Sequence, residues 1–280
     1  MQTWQQSGLT IADYERLSPL EKLETRILLM HVTKLSRIQL ITQSEHLLTT
    51  QQAQDLQALL QRRLDGEPIA YLTGEREFFG LTFHTSPAVL IPRADTELLV
   101  ELALNYAPDN SSLLDLGTGS GAIAISVAHT RSDLAVTAID ISDAALEIAR
   151  KNNERYLSLN RLKLFQSDWY SAVGGQVFQT IVSNPPYIVK DDPHLTQGDL
   201  RFEPLNALTD HGDGLSAYRH IVSNAPAHLA QHGWLLMEHG YHQAAEVRGL
   251  LSAQGFMQVQ SWCDLAGIER VSGGQWNRGS

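Results

Sequence analysis

The sequence predicts an α/β fold: a parallel sheet covered by helices, preceded by a small helical bundle. Three observations carry this. Strand-like and helix-like stretches alternate from Ser111 almost to the C-terminus. A glycine loop, Gly117-Thr118-Gly119-Ser120-Gly121, stands at the first strand-to-helix junction. Residues 1 to about 74 carry helical spacing and no strand alternation.

The totals bound the answer further. A chain of 280 residues suffices for one large domain and a smaller one. No apolar run approaches the roughly 20 residues of a membrane span, and Met1 to Gln6 lack the basic and apolar halves of a secretory signal. A single cysteine, Cys263, excludes an internal disulfide and suits a reducing cytoplasm. The 31 acids outnumber the 21 bases, giving a net charge of −10. Duplex binders gain affinity by neutralising phosphates with Lys and Arg, so direct nucleic-acid binding is not expected.

In chain order, Ser18-Pro19 reads as a helix start, with Leu20, Leu23, Ile27 and Met30 on one face. Ala53, Leu56, Leu60 and Leu64 mark a second helix, which stops near Asp65-Gly66-Glu67-Pro68. This bundle, 1–74, carries no chemical motif and is expected to be a packing or docking module. Gly74 to His84 reads as a hairpin, and 75–88 as a linker to a catalytic domain over 89–280. Asp95 is the expected N-cap of a helix carrying Leu98, Leu99, Leu102 and Tyr106. Strands follow at 113–116, 134–139, 162–165, 178–182, 234–238 and 256–262, with helices between them.

Three glycines let a ligand approach the backbone, and the helix after them offers free N–H groups. Asp140 ends the next strand, where a carboxylate can accept both hydroxyls of a ribose. Gly117, Gly119 and Ala122 also fit the dinucleotide fingerprint, which leaves a nicotinamide enzyme open. Asp115, just before the glycines, suits a cationic ligand better than a pyrophosphate, and so favours the sulfonium cofactor S-adenosylmethionine. Asp168 could accept from an adenine amino group, with Trp169 beside it. Core packing is an equal reading for Trp169.

Ser183-Asn184-Pro185-Pro186-Tyr187 closes a buried strand. Two prolines forbid helix and ladder, so the backbone leaves the sheet in a stiff turn. Asn184 and the Pro185 carbonyl are two acceptors, and Tyr187 is a flat platform. Together they suit a planar NH2 group.

With these motifs the chain resembles the peptide chain release factor N5-glutamine methyltransferases, nearly end to end. The likeness covers the helical N-terminal region, Asp65 to Ala70, Arg76-Glu77-Phe78, Leu90-Ile91-Pro92-Arg93, the glycine loop, Gln166 to Trp169 and Ser183 to Ile188. It continues through Asp192-Pro193-His194 and Arg201 to Leu205 to Glu269-Arg270-Val271. Ala94 stands where the family usually has a second proline after Pro92-Arg93, and Ser272 to Trp276 match its pattern poorly.

The resemblance implies a seven-stranded Rossmann-like methyltransferase domain that uses S-adenosylmethionine and releases S-adenosylhomocysteine. It implies that Gly117, Thr118, Gly119, Ser120 and Gly121 cradle the methionine end of the cofactor. Asp140 would bind the ribose, and Asp168 and Trp169 would flank the adenine. Asn184, Pro185, Pro186 and Tyr187 would hold the substrate glutamine, with Asn184 also bordering the cofactor. The implied partner is a class 1 release factor with a Gly-Gly-Gln motif, met by a cytoplasmic monomer. An adenine N6 methyltransferase is the runner-up, and a non-catalytic cofactor-binding scaffold a third reading. His239 and His242 read as loop residues rather than metal ligands, with no metal expected. Cys263 reads as a packed thiol. The chain's own Gly273-Gly274-Gln275 reads as a coincidence with the substrate tripeptide rather than a self-methylation site.

Overall fold

Capping residues divide the first 75 residues into short helices, as seen in the computed structural model, which describes residues 3–6, 8–158 and 160–277. Thr10 opens α1 (Ile11–Leu17), Ser36 opens α3 (Arg37–Thr42) and Thr49 opens α4 (Thr50–Leu64). Each exchanges reciprocal hydrogen bonds with the residue three further on, Asp13, Gln39 and Gln52 respectively. Between them lies α2 (Lys22–Thr33), and α5 (Ile69–Thr73) ends on Gly74 at φ 73°. Ile11, Tyr14, Leu28, Leu29, Leu40, Leu56 and Leu60 form the core of this unit.

Two sequence expectations fail here. Ser18 is the C-cap of α1, not the N-cap of α2. Its Oγ accepts from the Leu20 N–H and the Thr25 hydroxyl, so Ser18-Pro19 makes the bend between helices. Because α2 starts later, at Lys22, its buried stripe is Thr25, Leu28 and Leu29, and Leu23 is 66% exposed.

The second unit, 76–280, is built on one sheet. It opens with the hairpin β1 (Glu75–Phe78) and β2 (Leu81–His84). Phe79 and Gly80 both take positive φ, as a two-residue turn of this twist requires. Phe78 and Phe83 meet edge to face and join this unit's core. The strand backbone is tied down as well. The Thr82 N–H donates to the Tyr156 hydroxyl and the His84 N–H to Asn152 Oδ1.

A short 3-10 turn, Ala94–Thr96, leads into α6 (Glu97–Tyr106). The N-cap is therefore Thr96 and not Asp95, which instead faces Arg270 at 3.2 Å. Then follow β3 (Ser112–Leu116), α7 (Ala122–Thr130), β4 (Ala135–Asp140), α8 (Asp143–Tyr156), β5 (Leu162–Gln166) and β6 (Phe178–Ser183). After β6 come α9 (Leu205–Leu208), α10 (Ser216–His228), β7 (Leu229–Glu238), α11 (Ala244–Gln254), β8 (Met257–Cys263) and β9 (Glu269–Gln275).

The strands order as β5-β4-β3-β6-β7-β9-β8, and the sheet is mixed rather than all parallel. β9 runs antiparallel to both its neighbours. Successive residues serve opposite faces. Leu113, Val182 and Leu236 enter the core under α6 and α7, while Leu114, Ile181 and Leu235 enter the core under α10 and α11.

β9 had no strand signal in the sequence because Gly273 and Gly274 sit inside it. Both are needed there. A Cβ on Gly273 would lie 2.6 Å from the Leu235 carbonyl oxygen, and one on Gly274 would lie 2.9 Å from Phe256 Cβ. Close approach of neighbouring elements selects glycine in this strand. Gln275, the third residue of that tripeptide, donates from Nε2 to the His232 carbonyl. Cys263 is exposed rather than packed, because it ends the edge strand β8.

Candidate functional site

The chain builds outward from β3 to β4 and β5, then returns to β6 on the other side. The carboxyl ends of β3 and β6 thus diverge, and open α/β sheets bind ligands at such a switch point. The glycine loop leaves β3, Asp140 ends β4, Asp168 follows β5 and Asn184 follows β6. The cofactor and substrate residues expected from the sequence therefore gather along one edge of the sheet.

The glycine loop is held by backbone. The N–H groups of Gly117 and Thr118 both donate to the Ile139 carbonyl, at 2.9 and 2.8 Å. Gly117, Gly119 and Gly121 all have positive φ, which only glycine adopts freely. At Gly121 space is short too, since a Cβ would lie 2.7 Å from Ile125 Cδ1.

Asp140 receives the Gly119 N–H on Oδ2 at 2.8 Å and the Ser142 N–H on Oδ1 at 2.9 Å. Burial raises its pKa, and these donors only partly oppose the rise. Its carboxylate is thereby oriented with further lone pairs to spare. Asp115 is fully buried and its Oδ2 accepts from the Thr118 hydroxyl at 2.6 Å. Its Oδ1 has no described partner, and burial pushes the carboxyl up to about 7. Asp168 is exposed. Trp169, at φ 47°, is half-buried, packs on the α10–α11 core and lies 5.9 Å from the His220 ring, so one side of it serves packing.

Across the switch point, Asn184 is half-buried, but its Oδ1 is enclosed and has no described partner. Its Nδ2 donates to Thr96 Oγ1 at 3.3 Å. No described backbone N–H donates to the Pro185 carbonyl, as the proline turn leads one to expect. The Tyr187 carbonyl accepts from Gln243 Nε2 at 3.1 Å, and the same nitrogen donates to the Gly214 carbonyl. Gly214 has room for no side chain, since a Cβ would lie 2.5 Å from the Tyr187 carbonyl oxygen. Burial first, and the nearby Glu238 second, hold the Tyr187 hydroxyl protonated far above its ordinary range.

The comparisons with known proteins now bear on this edge. Residues 14–74 match the PrmC N-terminal domain, and residues 81–201 the methyltransferase small domain. The chain is 53% identical over 282 residues to the release factor glutamine methyltransferase of Burkholderia pseudomallei, covering 98% of this chain and 99% of that protein. The chain belongs to the release factor glutamine methyltransferase family. Its relative of the same name from Neisseria gonorrhoeae is 47% identical over 270 residues, covering 96% and 98% of the two chains. A solved methyltransferase from Pyrococcus furiosus shares the fold at a TM-score of 0.55 and 17% identity, over 78% of this chain and 98% of that one.

Several residues of this family member were not found as site residues in the sequence. Thr96 contacts Asn184 from the start of α6, 88 residues away in sequence. Glu238 ends β7 next to the Asn184 turn and is 3% exposed. Gln243 braces Tyr187, and its Oε1 accepts from the Gly240 N–H. Glu203, also buried, pairs with Arg93 and accepts from the Ile91 N–H at 2.9 Å, which joins two segments that carried the resemblance. Each is a lone polar residue with no local spacing to mark it. A polar residue closing an apolar strand, as Glu238 does after Trp234 to Met237, was the one available signal.

His239 and His242 do not converge. His239 is buried, with Nδ1 on the Gly240 carbonyl and Nε2 on the Ser272 hydroxyl, and His242 packs on Tyr241. Among the described residues no group of three or more His, Cys, Asp or Glu is placed to hold a metal ion, and no helix is long and apolar enough to cross a membrane.

Proposed function

We propose that this chain methylates the side-chain amide nitrogen (N5) of the glutamine in the Gly-Gly-Gln motif of class 1 peptide chain release factors. The observation that carries this is the enclosed, unpartnered Asn184 Oδ1 beside the glycine loop. A buried acceptor left without a donor is costly, so it marks a place where a ligand N–H belongs.

The residues at β3 and β4 fit S-adenosylmethionine. The spare acceptor on Asp115 suits a cationic ligand, the loop glycines admit close approach, and the Asp140 carboxylate is fixed for a ribose diol. Gly117, Thr118, Gly119, Ser120 and Gly121 would hold the methionine end, with Asp168 and Trp169 at the adenine. When bound, S-adenosylmethionine supplies an electrophilic methyl group.

The rest is positioning by this chain. An amide nitrogen is a weak nucleophile because its lone pair is shared with the carbonyl. Asn184 Oδ1 and the Pro185 carbonyl would each accept one amide hydrogen, which orients the nitrogen and favours the positive charge that grows on it. Pro186 stiffens the turn, and Tyr187 packs against the amide plane. No dedicated base is required, since a methylated, cationic amide sheds its proton readily.

Release factor glutamine, rather than adenine, is favoured by the names of the relatives and by the acidic chain. The N-terminal unit, 1–75, would dock another part of the release factor. The protein would act as a cytoplasmic monomer. Labelled S-adenosylmethionine, offered with purified release factor, DNA and ribosomal RNA in separate reactions, tests the reading. A single methyl located on the Gly-Gly-Gln glutamine is expected. Label in adenine, or none in any substrate, would overturn it.

A further inference from the structure

The Asn184 amide can face either way, and only one orientation offers oxygen to a substrate. Glu238 ends β7, one residue beyond the pairing of Ser183 with Met237, and so lies beside Asn184. The Thr96 and Asn184 side chains lie close enough to lower its pKa, yet its Oε2 is buried with no described hydrogen-bond partner. Thr96 is itself 5% exposed and accepts from Asn184 Nδ2.

We propose that Glu238 and Thr96 are positioning residues that hold the Asn184 amide with its oxygen toward the substrate. This rests on the reading of Asn184 as the substrate's acceptor. Hydrogen-bond direction decides which way the amide turns. An ionised carboxylate only accepts. Thr96 accepts from Asn184, and the enclosed Glu238 carboxylate nearby lacks a donor, so the single Thr96 hydroxyl proton would turn to Glu238 and leave Asn184 only a lone pair. The Asn184 NH2 group must then face Thr96 and Glu238. Turned by half a rotation, Oδ1 would meet two acceptors with no proton between them. The Oδ1 of Asn184 indeed has no described donor.

The arrangement also has a sign in pH. A protonated Glu238 could donate to Thr96, and the chain of hydrogen bonds could then run backwards. Burial pushes Glu238 up to about 7, with Asp95 adding to the rise and Thr96, Arg270 and Asn184 opposing it. Tyr187 from the proline turn and Tyr218 from α10 also face it. Tyr218 donates to the Glu238 backbone carbonyl at 2.8 Å, and both hydroxyls stay neutral. The orienting form is thus the ionised one, present above the folded pKa and lost as pH falls through it.

Thr96→Val keeps shape and removes the hydroxyl, and Thr96→Ser restores it. With full-length protein, labelled S-adenosylmethionine and purified release factor, Thr96→Val should lose about tenfold or more in kcat, the scale of one hydrogen bond to a charged group. Cofactor affinity by calorimetry and the melting temperature should stay near wild type, and Thr96→Ser should recover most of the rate. Wild-type kcat should fall as pH drops through about 7, and Glu238→Gln should lose that limb. An inactive Asn184→Ala beside a fully active Thr96→Val would overturn this inference alone. So would a Thr96→Ser as poor as the valine variant, or an unchanged acid limb in Glu238→Gln. A fully active Asn184→Ala would overturn the reading of Asn184 itself.

Discussion

The two sides of the switch point are built from different materials. At β3 and β4 the work falls to backbone: loop N–H groups on the Ile139 carbonyl, and the Gly119 and Ser142 N–H groups on Asp140. At β6 and β7 it falls to side chains gathered from distant segments, with Thr96 and Glu238 against Asn184, Gln243 against Tyr187, and Arg93 on Glu203. A backbone site depends on glycines at fixed spacing and tolerates change in its side chains. A side-chain site depends on each partner. The first suits a cofactor that presents the same atoms at every turnover, the second a substrate group that must be aligned to an electrophile.

This contrast can be broken or sharpened by substitution. Within the backbone half the largest separation is expected at Asp140, the side chain on which its loop N–H groups converge. Asp140→Ala should weaken cofactor binding about ten- to a hundredfold, as loss of hydrogen bonds to a charged acceptor does. Its kcat at saturating cofactor should change little, and calorimetry with steady-state rates would read both. A much lower kcat at saturation would merge the two halves. A smaller effect is expected at Ser142, whose Oγ accepts from the Ala145 N–H as the N-cap of α8. Ser142→Ala removes that cap, at about 1 kcal/mol of stability, yet keeps the backbone N–H that holds Asp140. Denaturant unfolding should register the loss while cofactor affinity stays put. A matching loss of affinity would mean that the backbone half leans on its side chains after all.

The same contrast decides what could be read from the sequence. The glycine loop, the acid at the end of β4 and the proline turn are contiguous or regularly spaced, so their place on one sheet edge was legible. The family resemblance implied seven strands, but their order around the switch point came only with the structure. Thr96, Glu238 and Gln243 were not legible as site residues, because only the fold brings them together. Local chemistry misled at Ser18 and Asp95. Both are good capping residues, but one bends the chain between helices and the other faces Arg270. β9 was hidden by Gly273 and Gly274, whose lack of side chains is a packing requirement there and a strand breaker on paper.

The central claim is that Asn184 serves the reacting amide and not the cofactor. The direct measurement takes one preparation of Asn184→Ala and determines its S-adenosylmethionine dissociation constant and its kcat on purified release factor. The expected result is a kcat lower by about 10²–10³-fold, the scale for removing one preorganised group at a reacting centre, with the dissociation constant unchanged. Equal losses in both would place Asn184 in the cofactor site and contradict the division drawn here.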